Sequence, residues 1–238
     1  MRILFPTPEP GEAPLAALVN TAGGLAGGDE VEISVALDAG AAATVSTPAA
    51  EKIYRSLGPE TRVAARIEVG PGARLEWIPQ ETILFEGARL ARRLEADIAA
   101  DAVLLMAEML VFGRHARGEA LTRGSLLDTW RIRRGGALVW ADGLALDGDV
   151  AAMLANPFGF AGAEASATLL LADPNPLARL RDGLRDAGIA ATVLRPGLML
   201  ARWLGPAATV REGLGSAIRM VRARHFGLPA ALPRLWTC

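Results

Sequence analysis

The side chains able to do chemistry in this chain are mostly carboxylates. Asp29, Glu51, Glu81, Glu86, Glu108, Glu119, Asp142 and Asp147 are spread along it, whereas imidazoles are limited to His115 and His225 and thiols to the terminal Cys238. Neither a Cys-x-x-Cys nor a His-x-x-x-His spacing occurs, which excludes a closed structural zinc site. Hard oxygen ligands bind borderline divalent ions weakly and release them readily, a profile that suits passage of an ion better than its storage. Glu81, Glu108 and Asp142 each interrupt an apolar run. A charge buried there requires a partner, water or an ion. These three are therefore the candidate metal-contacting residues, with a salt bridge to an arginine as the alternative for each.

Other chemistries find little support. Ser46, Ser56 and Ser125 could pair with His115, yet no Gly-x-Ser-x-Gly elbow is present, and His115 reads as a structural histidine. The run Gly23-Gly24-Leu25-Ala26-Gly27-Gly28-Asp29 lacks the Lys-Ser/Thr and the following helix of a phosphate loop, so it reads as a tight backbone crossing. Glu51, Lys52, Tyr54 and Arg55 form a polar cluster in an otherwise apolar strand sequence, suited either to a partner or to a bracing hydrogen-bond network. Arg114 and Arg117, on either side of His115, likewise either contact a partner or brace Glu108 and Glu119.

These residues must be held by strands. Val31, Ile33, Val35 and Leu37 alternate with polar or small residues, and so do Val63, Ala65, Ile67 and Val69. Each strand leads through a glycine turn, Gly40 or Gly72, into a second strand. Fainter echoes at Asp101 and Gly136 place the step at spacings of 32, 29 and 35 residues. Self-similarity near that period predicts stacked β-coils, an irregular β-solenoid, with Gly40, Gly72 and Gly136 as corners and a small Ala packed beneath each. A β-sandwich of hairpins is the rival reading. Helical signals are confined to the last third, over Leu177 to Gly188 and Val210 to Phe226, giving about two C-terminal helices on an all-β body. Asn156 to Gly162 reads as a loop, and Leu228 to Trp236 as an extended apolar tail. No linker or charge block divides residues 1–238, so a single domain is expected.

Composition bounds the function. With 238 residues, 51% of them apolar, and a mean hydropathy of +0.28, the chain can bury a core and is too hydrophobic for disorder. The longest near-apolar stretch, Ala102 to Phe112, falls short of the about 18 residues that a membrane span needs. A net charge of −1 gives no drive toward nucleic acid or an anionic membrane, so neither is expected as a partner. One cysteine allows no intrachain disulfide and fits the cytoplasm.

Five strings in fixed order say more than composition: Leu18-Val-Asn-Thr-Ala-Gly-Gly-Leu-Ala-Gly-Gly-Asp29, Thr47-Pro-Ala-Ala-Glu-Lys-Ile-Tyr-Arg-Ser56, Pro79-Gln-Glu-Thr-Ile-Leu-Phe85, Glu108-Met-Leu-Val-Phe-Gly-Arg114 with Ala116-Arg-Gly-Glu119, and Gly227-Leu-Pro-Ala-Ala-Leu-Pro-Arg-Leu-Trp236. Together they resemble the urease accessory protein D family, called H in some bacteria. The resemblance implies a β-rich, helix-poor, solenoid-like maturation factor rather than an enzyme. It would dock on the urease apoprotein, bind accessory protein F and through it recruit the GTPase accessory protein G, with nickel in transit and no tightly bound cofactor. Family members usually carry an extra stretch before the position of Met1, so an N-terminal strand is expected to be missing here. Many have His-Pro-Pro where this chain has Asn20-Thr-Ala, and no metal role transfers to that position. The alternative reading is a β-solenoid carbohydrate-active hydrolase using paired carboxylates in a groove.

Overall fold

The computed structural model describes residues 1–237, so Cys238 lies outside the described residues. Strand β1 (Arg2–Leu4) is antiparallel to β2 (Leu15–Val19). The chain then winds in coils. The first is β3 (Glu30–Leu37), β4 (Ala42–Ser46) and β5 (Glu51–Ile53); the second is β6 (Thr61–Val69), β7 (Arg74–Trp77) and β8 (Thr82–Leu84). The third is β9 (Arg89–Ile98) followed by the long β10 (Val103–Arg114), which pairs in parallel with both β7 and β8. After β11 (Glu119–Ala120), a β12–β13 hairpin (Arg123–Arg134, Ala137–Asp149) leads into α1 (Val150–Ala155), β14 (Ala165–Ala172) and α2 (Ala178–Asp186). The chain ends with β15 (Ala191–Arg195), β16 (Leu198–Gly205) and α3 (Ala207–His225).

Successive coils stack in parallel register. Leu37 faces Val69, which faces Ile98, and Ile98 faces Arg134. The sequence repeat is therefore the coil pitch, and the solenoid-like reading holds. Coil strands β3, β6, β9 and β12 form a five-stranded sheet with β13, while β2, β4, β7 and β10 continue through β14, β16 and β15 in an eleven-stranded sheet. The two sheets close on each other, and α2 and α3 cover the far face of the larger one. Buried on both faces, β10 loses the period-two alternation of the other strands and becomes the near-continuous apolar run seen in the sequence.

Gly40, Gly72 and Gly136 all have positive φ, at 69°, 64° and 82°. Two details differ from expectation. At Gly136 the chain does not turn into another coil; Gly135 and Gly136, both with positive φ, make a two-residue hairpin that sends β13 back antiparallel to β12. Accordingly Ala73 is buried beneath its turn, but Ala137 is exposed. The second difference is a third helix. The six residues of α1, capped where the Asp149 side chain accepts from the Ala152 N–H at 3.1 Å, are too few to display a helical period. In the other two helices Leu180 and Leu184, and Leu214, Ile218 and Val221, face the core as expected. The tail packs on the body: Trp236 is buried, and its Nε1 donates to the Ile78 carbonyl at 2.9 Å.

Candidate functional site

Between the two sheets lies a buried ionic cluster. Period-two geometry points Arg92, flanked by the inward-facing Leu90 and Leu94, and Asp128, flanked by Leu126 and Trp130, toward the larger sheet. From β10 opposite, Glu108 points back, leaving its neighbours Ala107 and Met109 to the helical layer. Arg92 bridges them. Its Nε and Nη2 clasp Asp128 at 2.9 and 2.7 Å, its Nη1 donates to Glu108 at 2.7 Å, and Thr82 Oγ1 accepts at 3.3 Å. The second Glu108 oxygen accepts from Trp77 Nε1 at 2.7 Å. Burial pushes the Glu108 carboxyl above the ordinary range, against the pull of Arg92 and Trp77. For Arg92 burial acts the other way, but Asp128 and Glu108 more than offset it and hold the guanidinium charged. One guanidinium thus serves two acids, so the cluster holds one more acidic group than basic groups.

Two interior cavities have Arg92 and Glu108 in their walls. One, of about 60 Å³, reaches Asp142, Ser166 and Thr168; the other, of about 70 Å³, reaches Thr82, Gln80 and Glu51. At the first mouth Asp142 is ion-paired with Arg202. At the second, Glu51 accepts from Asn20 Nδ2 at 2.8 Å, and burial raises its pKa. The structure therefore brings Glu108 and Asp142 to one cavity and adds Glu51, which the sequence had suggested for partner contact. All three of the proposed metal-contacting carboxylates, Glu81, Glu108 and Asp142, have an arginine partner. Among the described residues no group of three or more His, Cys, Asp and Glu side chains is placed to hold a metal.

Glu81 lies elsewhere, on the outer face of the larger sheet, paired with Arg211 of α3. Strand alternation sends Lys52 and Tyr54 to this face and Glu51 and Ile53 inward. Lys52, Tyr54, Glu81, Arg114, His115 and Arg117 consequently line one open cleft of about 610 Å³ beside the start of α3. Arg114 stacks over Phe85, 4.3 Å from the ring centroid, and its Nε donates to Glu119 at 2.9 Å. It braces Glu119, therefore, and not Glu108. Arg55 leaves the cleft and packs on Gly87. His115 Nδ1 is 3.8 Å from a Glu164 oxygen. His225 donates from Nε2 to Asp173 at 2.8 Å.

The glycine-rich run is the tight crossing that its residues suggested. A Cβ on Gly24 would come within 2.6 Å of the Tyr54 ring and 2.8 Å of the Lys52 carbonyl, and one on Gly27 within 2.2 Å of Ser56 Oγ. Tyr54 in turn donates its hydroxyl to the Gly23 carbonyl at 2.9 Å. The sequence reading passed over Arg92, Asp128 and Trp77, although a signal existed: a charged residue at an inward position of an alternating strand, Leu90-Ala-Arg92-Arg-Leu94 or Leu126-Leu-Asp128-Thr-Trp130. A second buried ionic triad, Arg222 of α3 with Glu76 at 3.1 Å and with Glu12, also goes unseen because the two acids lie 146 and 210 residues from the arginine.

Comparison with known proteins bears on what such an arrangement serves. A family model described as UreD urease accessory protein matches residues 1–237. Similar curated proteins include the urease accessory protein UreD of Granulibacter bethesdensis, 49% identical with 98% of this chain and 99% of that protein aligned. Those of Methylobacterium sp. (strain 4-46) and Magnetococcus marinus are 49% and 44% identical, each with 99% of this chain and 85% of the relative aligned.

Proposed function

The chain belongs to the urease accessory protein UreD family, whose role is urease maturation, and we propose that it is a scaffold that docks on apo-urease and, with accessory proteins F and G, lets nickel reach the urease active site. The ion travels through the body by way of the two cavities that meet at Arg92 and Glu108. The observation that carries this reading is that common wall: two small chambers, one of mixed lining and one mainly apolar, on either side of a cluster in which one guanidinium serves two acids, with Glu51 lining one chamber and Asp142 the other.

The chemistry suits transit. Every carboxylate on the path is already held by an arginine or an amide, so a divalent cation would have to compete for one or two oxygens at a time and would be released readily. Cavities of this size have no room for a sugar ring, so Glu108 and Asp142 do not form the carboxylate pair of a glycoside-cleaving groove. No helix among the described residues is long and apolar enough to cross a membrane, and a cytoplasmic location follows from the work proposed.

Co-expression of urease subunits with the other accessory proteins, with and without this chain, tests the role: nickel content and ureolysis should fall together when it is left out. The route is tested by Asp142→Ala and Glu108→Ala proteins in a nickel-transfer assay. Variants that assemble normally and still activate urease fully would show that nickel goes another way.

A further inference from the structure

The cleft on the outer face of the larger sheet is separate from the interior cavities and has its own chemistry. Its walls carry Lys52, Arg114, His115, Arg117 and Arg211 against a single lining carboxylate, Glu81. Two of the cations are neutralised locally, Arg211 by Glu81 and Arg114 by Glu119. Lys52 and Arg117 are exposed and make no salt bridge among the described residues. Beneath them the half-buried Ile83 and Phe85, with Ala208 at the start of α3, form an apolar floor where the helical layer stops short of β5 and β8.

From this pattern we propose that the cleft receives one segment of a protein partner that carries apolar side chains between acidic residues. The apolar side chains cover Ile83 and Phe85, and the acidic ones meet Lys52 and Arg117 on the rim. Charge complementarity selects the occupant. A basic segment would meet the two unpaired cations, Lys52 and Arg117, and like charges across a contact are strongly disfavoured. A neutral apolar segment would leave Lys52 and Arg117 beside desolvated surface without partners. The backbone around the cleft is fixed in advance, with Tyr54 tied to the Gly23 carbonyl and Arg114 clamped between Phe85 and Glu119, so little ordering is required on binding.

This inference rests on the maturation role, and its test separates the two. The purified chain is titrated with accessory protein F and, separately, with apo-urease, at about 50 and 300 mM salt, where charge pairs on a rim are screened to different degrees. The Lys52→Glu/Arg117→Glu protein should bind one of the two at least about tenfold more weakly at low salt and lose most of its salt dependence. Arg66→Glu, an exposed change on the outer face of the smaller sheet, should bind as the unaltered chain does. A photo-crosslinking residue in place of Ile83 should attach to a partner peptide rich in Asp and Glu. If the double variant binds both partners within about twofold of the unaltered chain, or the crosslinked peptide is basic, the cleft proposal is overturned while the maturation role stands. If the unaltered chain binds neither partner, both fall.

Discussion

Replacing Arg92 by methionine removes the one cation that compensates two carboxylates in the core. Glu108 and Asp128 are 5% and 7% exposed, so neither can recover its lost partner from water. Breaking a buried ion pair by deleting one member costs about 3–5 kcal/mol, and Arg92 anchors both acids, which places Arg92→Met at the upper end of that range. For a chain of this length the melting temperature should drop by about 2–4 °C per kcal/mol, or roughly 10–20 °C for a loss near 5 kcal/mol. The loss should also depend on pH. Burial already raises Glu108, and Arg92 is the strongest influence opposing that rise, so without it the folded-state pKa climbs further from the unfolded value. In the window between the two values the folded state binds more protons than the unfolded state. Stability therefore declines as pH rises through that window, by at most about 1.4 kcal/mol per pH unit for one carboxylate. Urea unfolding at about pH 5.5 and pH 8 reads this directly. The deficit of Arg92→Met against the unaltered chain should be larger at the higher pH. Arg92→Met/Glu108→Gln/Asp128→Asn, which removes all three charges, should regain more than half of the loss, because replacing a whole buried ionic group is far less costly than orphaning part of it. A deficit under about 1 kcal/mol, or one equal at both pH values, would refute the idea that a single guanidinium holds this cluster together.

Two other perturbations follow from the same geometry. Gly24→Ala sets a methyl group against the Tyr54 ring and the Lys52 carbonyl at positive φ, and should destabilise by about 2 kcal/mol or more, whereas Gly40→Ala, with nothing within 4 Å of the new Cβ, should lose only about 1 kcal/mol to backbone strain; thermal melts of the two compare steric crowding with strain alone. Burial pushes Asp173 up, but the hydrogen bonds from His225 and the Asn175 N–H outweigh it and hold the carboxyl below its ordinary value. Its stabilising contribution is therefore present above the unfolded aspartate pKa and lost as pH falls through the folded one, and Asp173→Asn should flatten the acid limb of the stability profile.

Local pattern was enough to write the coil. Alternation over Val31–Leu37 and Val63–Val69, glycine at each left-handed corner and a recurrence of about thirty residues are properties of neighbours along the chain, and the parallel register follows from them because a one-residue slip would turn every apolar side chain outward. The same local signals located α2 and α3 but not the six-residue α1, and they could not tell a hairpin at Gly136 from one more coil, since a glycine at positive φ serves either turn. The carboxylates at Glu108 and Asp142 were visible as charges in apolar runs. What held them was not, because a salt bridge is a distance in space: Glu108 meets Arg92 from the opposite sheet, Asp142 meets Arg202 across 60 residues, and Glu81 meets Arg211 across 130. Period two also split a cluster that looked continuous, sending Glu51 to the interior and Lys52 and Tyr54 to the surface. The amino-acid order thus determined the strands, their corners and their pitch, whose causes are local sterics and hydrophobic alternation. Only the tertiary packing, sheet against sheet inside and α3 against the outer face, decided which charges neutralise each other, which remain free at the rim of a cleft, and where the interior is left open.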